Sequence, residues 1–227
     1  MNITDKFDHE ITYVIMNWQR EDQVRMNTKI LKSQEMGCNV VVWNNNPNIV
    51  YVDENADVVI NTSTNFRCGA AIAMMMFSFS RYIIKMDDDL IPSNTAIQDT
   101  YDIIRELESK YGNVVIGRDA ELFSDPLSGA NGEVDLIKGR LMIFNRDQIT
   151  SLNLSFFNTD SDEFHHWEIA LCSQLRSSGS TLFSSPKLFG VYKDASSTSD
   201  NNAAWKEVDH MNDRELLMKE YKNNDNI

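Results

Sequence analysis

The chain has 227 residues, of which 42% are hydrophobic, so it is long enough for one sizeable α/β domain that buries about 70% of its unfolded surface. Its 21 Lys and Arg against 34 Asp and Glu give a net charge of -13, which argues against nucleic acid or an anionic membrane as the main partner. Its three cysteines form no CxxC pair, so neither a disulfide framework nor a zinc knuckle is indicated.

The first residues of the sequence do not have the pattern of a signal peptide. The first ten residues are polar and acidic, and no run of about 18 apolar residues occurs anywhere. We therefore expect no signal peptide, no membrane span and a cytoplasmic location. A single domain is expected over 1–227, with residues 1–10 and 223–227 as frayed tails.

The first part of the chain predicts a β-α-β unit. A strand over 11–16 precedes a helix over 21–36, which Gly37 terminates, and a buried strand follows over 39–43. This order builds a parallel sheet, and the polar residues after each strand are expected at the ligand-facing edge.

The remaining sequence continues the alternation of strands and helices. Up to residue 117, the predicted elements are extended pieces at 50–52 and 58–60, a helix at 65–80, a strand at 82–84, a helix that begins after Ser93 as N-cap, and a strand at 113–117. The apolar face of the helix after Ser93 consists of Ile97, Tyr101, Ile104 and Leu107. After residue 117 we predict a surface excursion over 118–133, strand or hairpin material at 134–145, a helix at 164–178 closed by Gly179, extended chain at 182–192, and a helix over about 204–222. The order predicts an α/β fold with a mostly parallel, Rossmann-like central sheet flanked by helices.

Three consecutive carboxylates, Asp87, Asp88 and Asp89, follow the predicted strand at 82–84. Successive extended residues point to opposite faces, so Asp87 and Asp89 are expected to face one ligand together. Their mutual repulsion is easiest to tolerate where a divalent cation or a set of hydroxyls takes up the charge. The alternative is an acidic turn in solvent.

A further carboxylate, Glu168, shares a helical face with Phe164, Leu171 and Leu175. A core-facing carboxylate needs a cation, a hydrogen-bond partner or a cleft, although a structural role at the helix N-terminus explains it equally well. The four histidines show no metal-ligand spacing, and we expect them on the surface.

Taken together, these motifs resemble GT-A fold glycosyltransferases, and within that fold the exostosin-type enzymes, which use UDP-sugars. The resemblance covers about residues 11–217. The matching segments are YVIMNWQRED at 13–22, VVWNN at 41–45, Asn65 with Arg67, DDD at 87–89, WEIA at 167–170 in place of a pair of acids followed by Ile-Ala, and AWK at 204–206.

The resemblance implies transfer of a sugar from a nucleoside diphosphate sugar, with a UDP-sugar favoured, to a hydroxyl of a carbohydrate acceptor. It implies Mn²⁺ or Mg²⁺ as cofactor, with Asp89 as the direct ligand and Asp87 beside it. The family's first acid is Trp167 here, so the catalytic role falls on Glu168 alone, as a base or as a stabilising carboxylate. The residues implied at the nucleotide sugar are Asn17, Arg20, Asn44, Asn65, Arg67, Asp87, Asp88 and Lys206.

Two alternatives remain from the sequence. A sugar nucleotidyltransferase normally begins with a Gly-rich basic phosphate loop, and residues 11–25 contain no glycine. A catalytically silent carbohydrate-binding protein would not need the DDD motif together with Glu168. The polar stretch 194–203 is expected either to close over bound nucleotide or to be a disordered connector.

Overall fold

The computed structural model describes residues 8–66, 75, 79–124, 129–152, 166–195, 215–219 and 222. The strands are β1 (Ile11–Asn17), β2 (Asn39–Asn44), β3 (Val58–Asn61), β4 (Tyr82–Asp87), β5 (Leu90–Pro92), β6 (Val114–Gly117), β7 (Ala120–Glu121), β8 (Gly132–Glu133), β9 (Leu136–Ile137), β10 (Leu141–Asn145), β11 (Thr181–Ser184) and β12 (Tyr192–Asp194). The helices are α1 (Glu21–Lys32), α2 (Ala96–Tyr111), α3 (Arg146–Thr150), α4 (Trp167–Ser177) and α5 (Leu188–Val191).

One eight-stranded sheet organises these elements, in the order β3-β2-β1-β4-β10-β6-β11-β8. Its first four strands are parallel, as expected for strands joined by crossover connections. Strand β10 lies antiparallel between β4 and β6, and β11 is parallel to β6 and antiparallel to β8. The predicted α/β fold, with a mostly parallel sheet flanked by helices, is confirmed.

Both faces of the central sheet are buried. Ile15 of β1 packs into the cluster that contains Leu31 of α1 and Ile97 of α2, whereas the adjacent Val14 packs into the cluster that contains Leu171 of α4. This alternation follows from the period of two in an extended chain. Each such aliphatic side chain stabilises the fold by about 1.5–3 kcal/mol, and the packed sheet holds its strand ends in place.

Helix α1 ends at Lys32, before the predicted end at residue 36. Ser33 caps it in a right-handed conformation, and Lys29 and Lys32 in its last turn complement the helix dipole. Gly37 does not terminate the helix, so that prediction was wrong. A side chain at Gly37 would collide with the His9 ring, and the glycine therefore permits close packing.

Residues 50–52 form no strand. The side chain of Asn61 accepts a hydrogen bond from the Tyr51 N–H at 2.7 Å and donates one to the Tyr51 carbonyl at 3.0 Å. The Asn61 side-chain amide thus makes the two hydrogen bonds that a neighbouring strand would otherwise have made with the Tyr51 backbone.

Helix α2 begins at Ala96 with Thr95 at its N-cap, so the predicted cap at Ser93 was wrong. The cause is strand β5, whose last residue, Pro92, pairs with Tyr192 of β12. Proline suits this place because a short two-stranded sheet leaves edge positions that need no N–H donor. The predicted apolar face consists of buried or partly buried residues, namely Ile97, Tyr101, Ile104 and Leu107.

Two further predictions need correction, namely extended chain throughout 182–192 and a surface excursion over 118–133. Residues 188–191 are helical, because the N–H groups of Leu188 and Phe189 bond back to the carbonyls of Ser185 and Pro186. The stretch 118–133 is more than a surface excursion, since β7 pairs with β9 and Arg118 is 2% exposed.

Several predictions fall largely outside the described residues: the helix over 65–80, the loop over 194–203 and the last helix, of which 215–219 are helical. The predicted N-terminal tail is too long, because the carbonyls of His9 and Glu10 accept hydrogen bonds from Ser80 and Tyr82.

Candidate active site

The polar residues that follow the parallel strands meet at one edge of the sheet. Asn17 at the end of β1 is level with Asn44 at the end of β2, and Met16 is level with Asp87 at the end of β4. Ligands of open α/β sheets bind beyond the carboxyl ends of such strands. The structure therefore brings together Asn17, Asn44 and the triple-Asp segment, as the β-α-β pattern predicted.

Asp88 is buried against the loop after β1. One of its oxygens accepts the Trp18 N–H at 2.9 Å, and the other accepts Arg20 Nη1 at 2.7 Å. Burial raises the pKa of the Asp88 carboxyl, while the bonds from Trp18 and Arg20 oppose that shift. Asp88 thus holds the loop after β1 in place and fixes the Arg20 side chain at the carboxyl edge of the sheet.

Asp87 is the last residue of β4 and not part of the following turn. Its carboxylate pairs with Lys85, whose ammonium also contacts the Gly139 carbonyl and lies 5.5 Å from the centre of the Trp167 ring. Burial raises the pKa of the Asp87 carboxyl above its ordinary value, and Lys85 opposes the shift. A buried lysine thus connects the acidic segment to the start of α4.

Asp89 and Asp194 share one arginine. Arg140 Nη2 donates to Asp89 Oδ2 at 2.9 Å and to Asp194 Oδ1 at 2.6 Å. Asp194 accepts a second bond, at 2.9 Å, from the buried Arg118. The pKa of the Asp194 carboxyl is lowered, because these two guanidinium groups outweigh its partial burial. The end of β12 is therefore anchored beside the acidic turn.

Each of the three consecutive carboxylates has its own protein cation: Lys85 for Asp87, Arg20 for Asp88 and Arg140 for Asp89. Their mutual repulsion is thus relieved within the chain, which the sequence argument for a cation did not foresee. Within the described part of the chain, no three His, Cys, Asp or Glu side chains are arranged to hold a metal ion.

The acidic turn nevertheless fits a divalent cation that takes its other ligands from phosphate and water. Asp89 Oδ1 is buried, and no described residue donates a hydrogen bond to it. Hard cations such as Mg²⁺ are commonly bound by one or two carboxylates together with substrate phosphates and water. Asp89 and Asp87 are the carboxylates that would supply that donor set.

The loop after β2 is a network of side-chain amides. Asn44 is fully buried, and its Nδ2 donates to the Ile49 carbonyl at 2.7 Å and to Asn61 Oδ1 at 2.8 Å. Asn45 donates to Asn65 at 2.6 Å and accepts the Phe66 N–H. The prediction that Asn44 and Asn65 contact a nucleotide stays a prediction, and the closed position of Asn44 favours an indirect role for it.

Glu168 is the second residue of α4 and is half-buried. Leu171 and Leu175, on its face of the helix, are buried as predicted, whereas Phe164 lies outside the described residues. The preceding Trp167 packs so closely on Gly139 that a Cβ there would lie 2.7 Å from the indole ring. Through Trp167 and Lys85, the N-terminus of α4 is tied to the strand that ends at Asp87.

Sequence reasoning named Arg20 but missed the other cations of this edge, Lys85, Arg118 and Arg140, and one of its acids, Asp194. Lys85 carried a signal, because a lysine within an apolar strand, two residues before Asp87, points to the same face. Arg118, Arg140 and Asp194 carried none, since the ion pairs that join them to one another and to Asp89 span 51 to 76 residues of the chain. His166 was expected on the surface but is buried. Arg67 and Lys206 lie outside the described residues.

Comparisons with known proteins show what fold this is. The mannosyltransferase PcManGT from Pyrobaculum calidifontis, solved in complex with GDP-Man and Mn²⁺, aligns with a TM-score of 0.55 and 12% identity over 82% of this chain and 61% of that chain. The structure of S. aureus TarS residues 1–349 aligns with a TM-score of 0.52 and 12% identity over 77% and 58% of the two chains. This chain shares the glycosyltransferase fold.

A second structure of S. aureus TarS aligns with a TM-score of 0.51 and 12% identity, over 77% of this chain and 35% of that chain. The chain therefore covers less than two thirds of each of these proteins. No protein-family model matches the sequence, and no curated protein matches it. Among the described residues, no helix has both the length and the apolar character needed to cross a membrane.

Proposed function

We propose that this protein is a metal-dependent glycosyltransferase, similar to the exostosin-type enzymes, that moves a sugar from a nucleoside diphosphate sugar to an acceptor hydroxyl on a glycan. The observation that carries the proposal is the acidic turn at 87–89 at the carboxyl edge of the parallel strands, where Asp89 keeps a buried oxygen without a described hydrogen-bond partner. The shared fold with glycosyltransferases supports it.

The donor proposed is a UDP-sugar, and a GDP-sugar is the second candidate because the similar mannosyltransferase was solved with GDP-Man and Mn²⁺. Asp89 and Asp87 would hold Mn²⁺ or Mg²⁺. When bound, the cation would stabilise the negative charge of the diphosphate leaving group. The residues proposed to contact the nucleotide sugar are Asn17, Arg20, Asn65, Arg67, Asp87, Asp88 and Lys206, whereas Asn44 would support the loop beside it.

The chain's own residues would divide the remaining work between orientation and acid-base chemistry. Arg20, held by Asp88, would neutralise part of the diphosphate charge. Glu168 would act near the anomeric carbon, taking the acceptor proton if the reaction inverts configuration or stabilising positive charge if it retains configuration. The neighbouring Trp167 contacts Lys85, which pairs with Asp87, and this connection supports a single cleft.

The test is a screen of UDP- and GDP-sugars for release of the free nucleotide, with Mn²⁺ and with EDTA, in the presence of glycan acceptors. Metal-dependent release of UDP or GDP with transfer to an acceptor is the expected result. Formation of nucleoside triphosphate from sugar nucleotide and pyrophosphate would instead identify a sugar nucleotidyltransferase. Glycan binding without turnover of any donor would identify a catalytically silent carbohydrate-binding protein.

A further inference from the structure

The two oxygens of Asp89 have different surroundings. Oδ2 accepts the bond from Arg140, whereas Oδ1 is buried without a hydrogen-bond donor among the described residues. Because only Oδ2 is bound to the guanidinium, Oδ1 is available as a ligand for a second cation. A divalent ion on Oδ1 would then share one carboxylate with a positively charged side chain, and the two cations repel each other.

Arg140 has other negatively charged neighbours besides Asp89. Its Nη2 also donates to Asp194, its Nη1 lies 4.0 Å from Asp119 Oδ2, and its Nε is buried without a hydrogen-bond acceptor among the described residues. Its backbone carbonyl accepts the Asp87 N–H at 2.9 Å, so the root of the side chain is fixed beside the acidic turn. The guanidinium can therefore leave Asp89 and remain beside two other carboxylates, which it would share with Arg118.

The other two cations of the turn differ in this respect. Lys85 is held on three sides, by Asp87, the Gly139 carbonyl and the Trp167 ring, and its side chain is 4% exposed. Asp88, the partner of Arg20, has both oxygens engaged, because Trp18 and Arg20 each donate to one of them. Only at Asp89, among the three, does a buried carboxylate oxygen without a described donor coincide with a cation that has two other carboxylates nearby.

We propose that Arg140 is an internal counter-ion that competes with the divalent metal for Asp89 and passes to Asp194 and Asp119 when the metal binds. The inference rests on the proposed function, which places the metal at Asp89. Arg140 is thus a positioning residue that sets the metal affinity of the acidic turn. In the nucleotide-free protein, the pairing of Arg140 with Asp89 keeps the metal affinity low. A bound diphosphate adds oxygen ligands for the metal, so the metal then displaces Arg140 from Asp89.

The experiment measures Mn²⁺ affinity without nucleotide, by the electron paramagnetic resonance signal of free Mn²⁺, in the parent and in Arg140→Met. We expect the variant to bind Mn²⁺ about five- to tenfold more tightly, the scale of one partly exposed charge-assisted pair. Arg140→Gln is the second variant if Arg140→Met does not fold. Lys187→Met is the matched control, because it removes the same charge from an exposed pair with Glu106 and should leave Mn²⁺ affinity unchanged.

A double-mutant cycle tests the shared arginine. Asp194→Asn removes a carboxylate that competes with Asp89 for Arg140, so Arg140 should bind Asp89 more firmly and Mn²⁺ should bind more weakly. In the Arg140→Met background the same substitution should have a clearly smaller effect on Mn²⁺ affinity. Equal Mn²⁺ affinity in the parent and both Arg140 variants, or weaker binding in those variants, would overturn the competition.

A parallel titration with UDP, with GDP and with Mn²⁺ separates this inference from the proposed function. If every protein binds a nucleotide with Mn²⁺ while the Arg140 substitutions leave affinity for Mn²⁺ alone unchanged, the inference fails and the proposed function stands. If no protein binds either nucleotide under any condition, the proposed function itself fails, and the competition at a donor site fails with it.

Discussion

Two polar regions lie side by side at the carboxyl edge of the sheet, and they are built in opposite ways. The amide network after β2, formed by Asn44, Asn45, Asn61 and Asn65, is neutral and directs its side chains to one another and to nearby backbone. The acidic turn at 87–89 consists of ion pairs and keeps unused polar atoms on Asp89 and Arg140.

The difference separates a scaffold from a binding surface. Buried amides whose hydrogen bonds are made inside the loop hold its shape, and losing one leaves its partners unsatisfied. Charged groups with unused hydrogen-bonding capacity are expensive to keep unless a ligand uses them. Substitution of Asn44, at the centre of the amide network, should therefore change stability, whereas substitution of Asp89 in the acidic turn should change binding, and the following predictions test that division.

The largest effect is expected at Asp89. Asp89→Ala should abolish metal-dependent binding of UDP, because it removes the carboxylate proposed to hold the cation, while the melting temperature changes little. Calorimetry with UDP, Mn²⁺ and EDTA measures this. Asp102→Ala, an exposed position on α2, removes the same charge and should bind like the parent. Equal affinity of the parent for UDP with and without EDTA would remove the metal from the proposal.

A loss of similar size is expected at Glu168, which tests whether the binding surface extends from the acidic turn to α4. Glu168→Gln keeps the shape and removes the charge, so turnover should fall by about 10²-fold or more, with nucleotide affinity and melting temperature nearly unchanged. Transfer rates at saturating donor and acceptor measure this, with the exposed Glu106→Gln as control. Turnover within a few-fold of the parent would argue for a structural Glu168.

The scaffold side of the comparison is tested at Asn44. Asn44→Ala should lower the free energy of unfolding by about 2–3 kcal/mol, because a buried amide is lost, the Ile49 carbonyl loses the Asn44 donor, and Asn61 Oδ1 keeps the Tyr51 N–H but loses its bond from Asn44. Urea unfolding measures the change. Asn48→Ala in the same loop is the control, since Asn48 is exposed and its substitution should cost little. If Asn44→Ala weakened nucleotide binding without destabilising the protein, the loop would be part of the binding surface.

The smallest effect is expected at the Arg20 and Asp88 pair, which belongs to the acidic turn but has both carboxylate oxygens engaged. Arg20→Met should lower the free energy of unfolding by about 1–2 kcal/mol, because Asp88 keeps only the Trp18 N–H. This loss should shrink in about 1 M salt, where charges are screened within about 3 Å, whereas the loss for Asn44→Ala should not. A salt-independent loss would mean that packing of the arginine, and not its charge, stabilises the loop.

Much of this architecture is determined by the local sequence. Strands β1, β2 and β4 are apolar runs, and the helix between β1 and β2 shows helical spacing, so β-α-β connectivity follows directly. Crossover connections through helices make such strands parallel, which brings Asn17, Asn44 and Asp87 to one edge of the sheet. The ligand-facing edge and its acidic turn were therefore predictable.

The charge balance of that edge was decided only by tertiary structure. Arg140 reaches Asp89 and Asp194 from positions 51 and 54 residues away, and Arg118 reaches Asp194 from 76 residues away. Ion pairs of this kind have no periodicity, and they form because the antiparallel strand β10 enters the sheet beside β4 and β12 pairs with β5. A short-range pattern specifies which residues lie on a strand or helix, but long-range packing decides which charges meet.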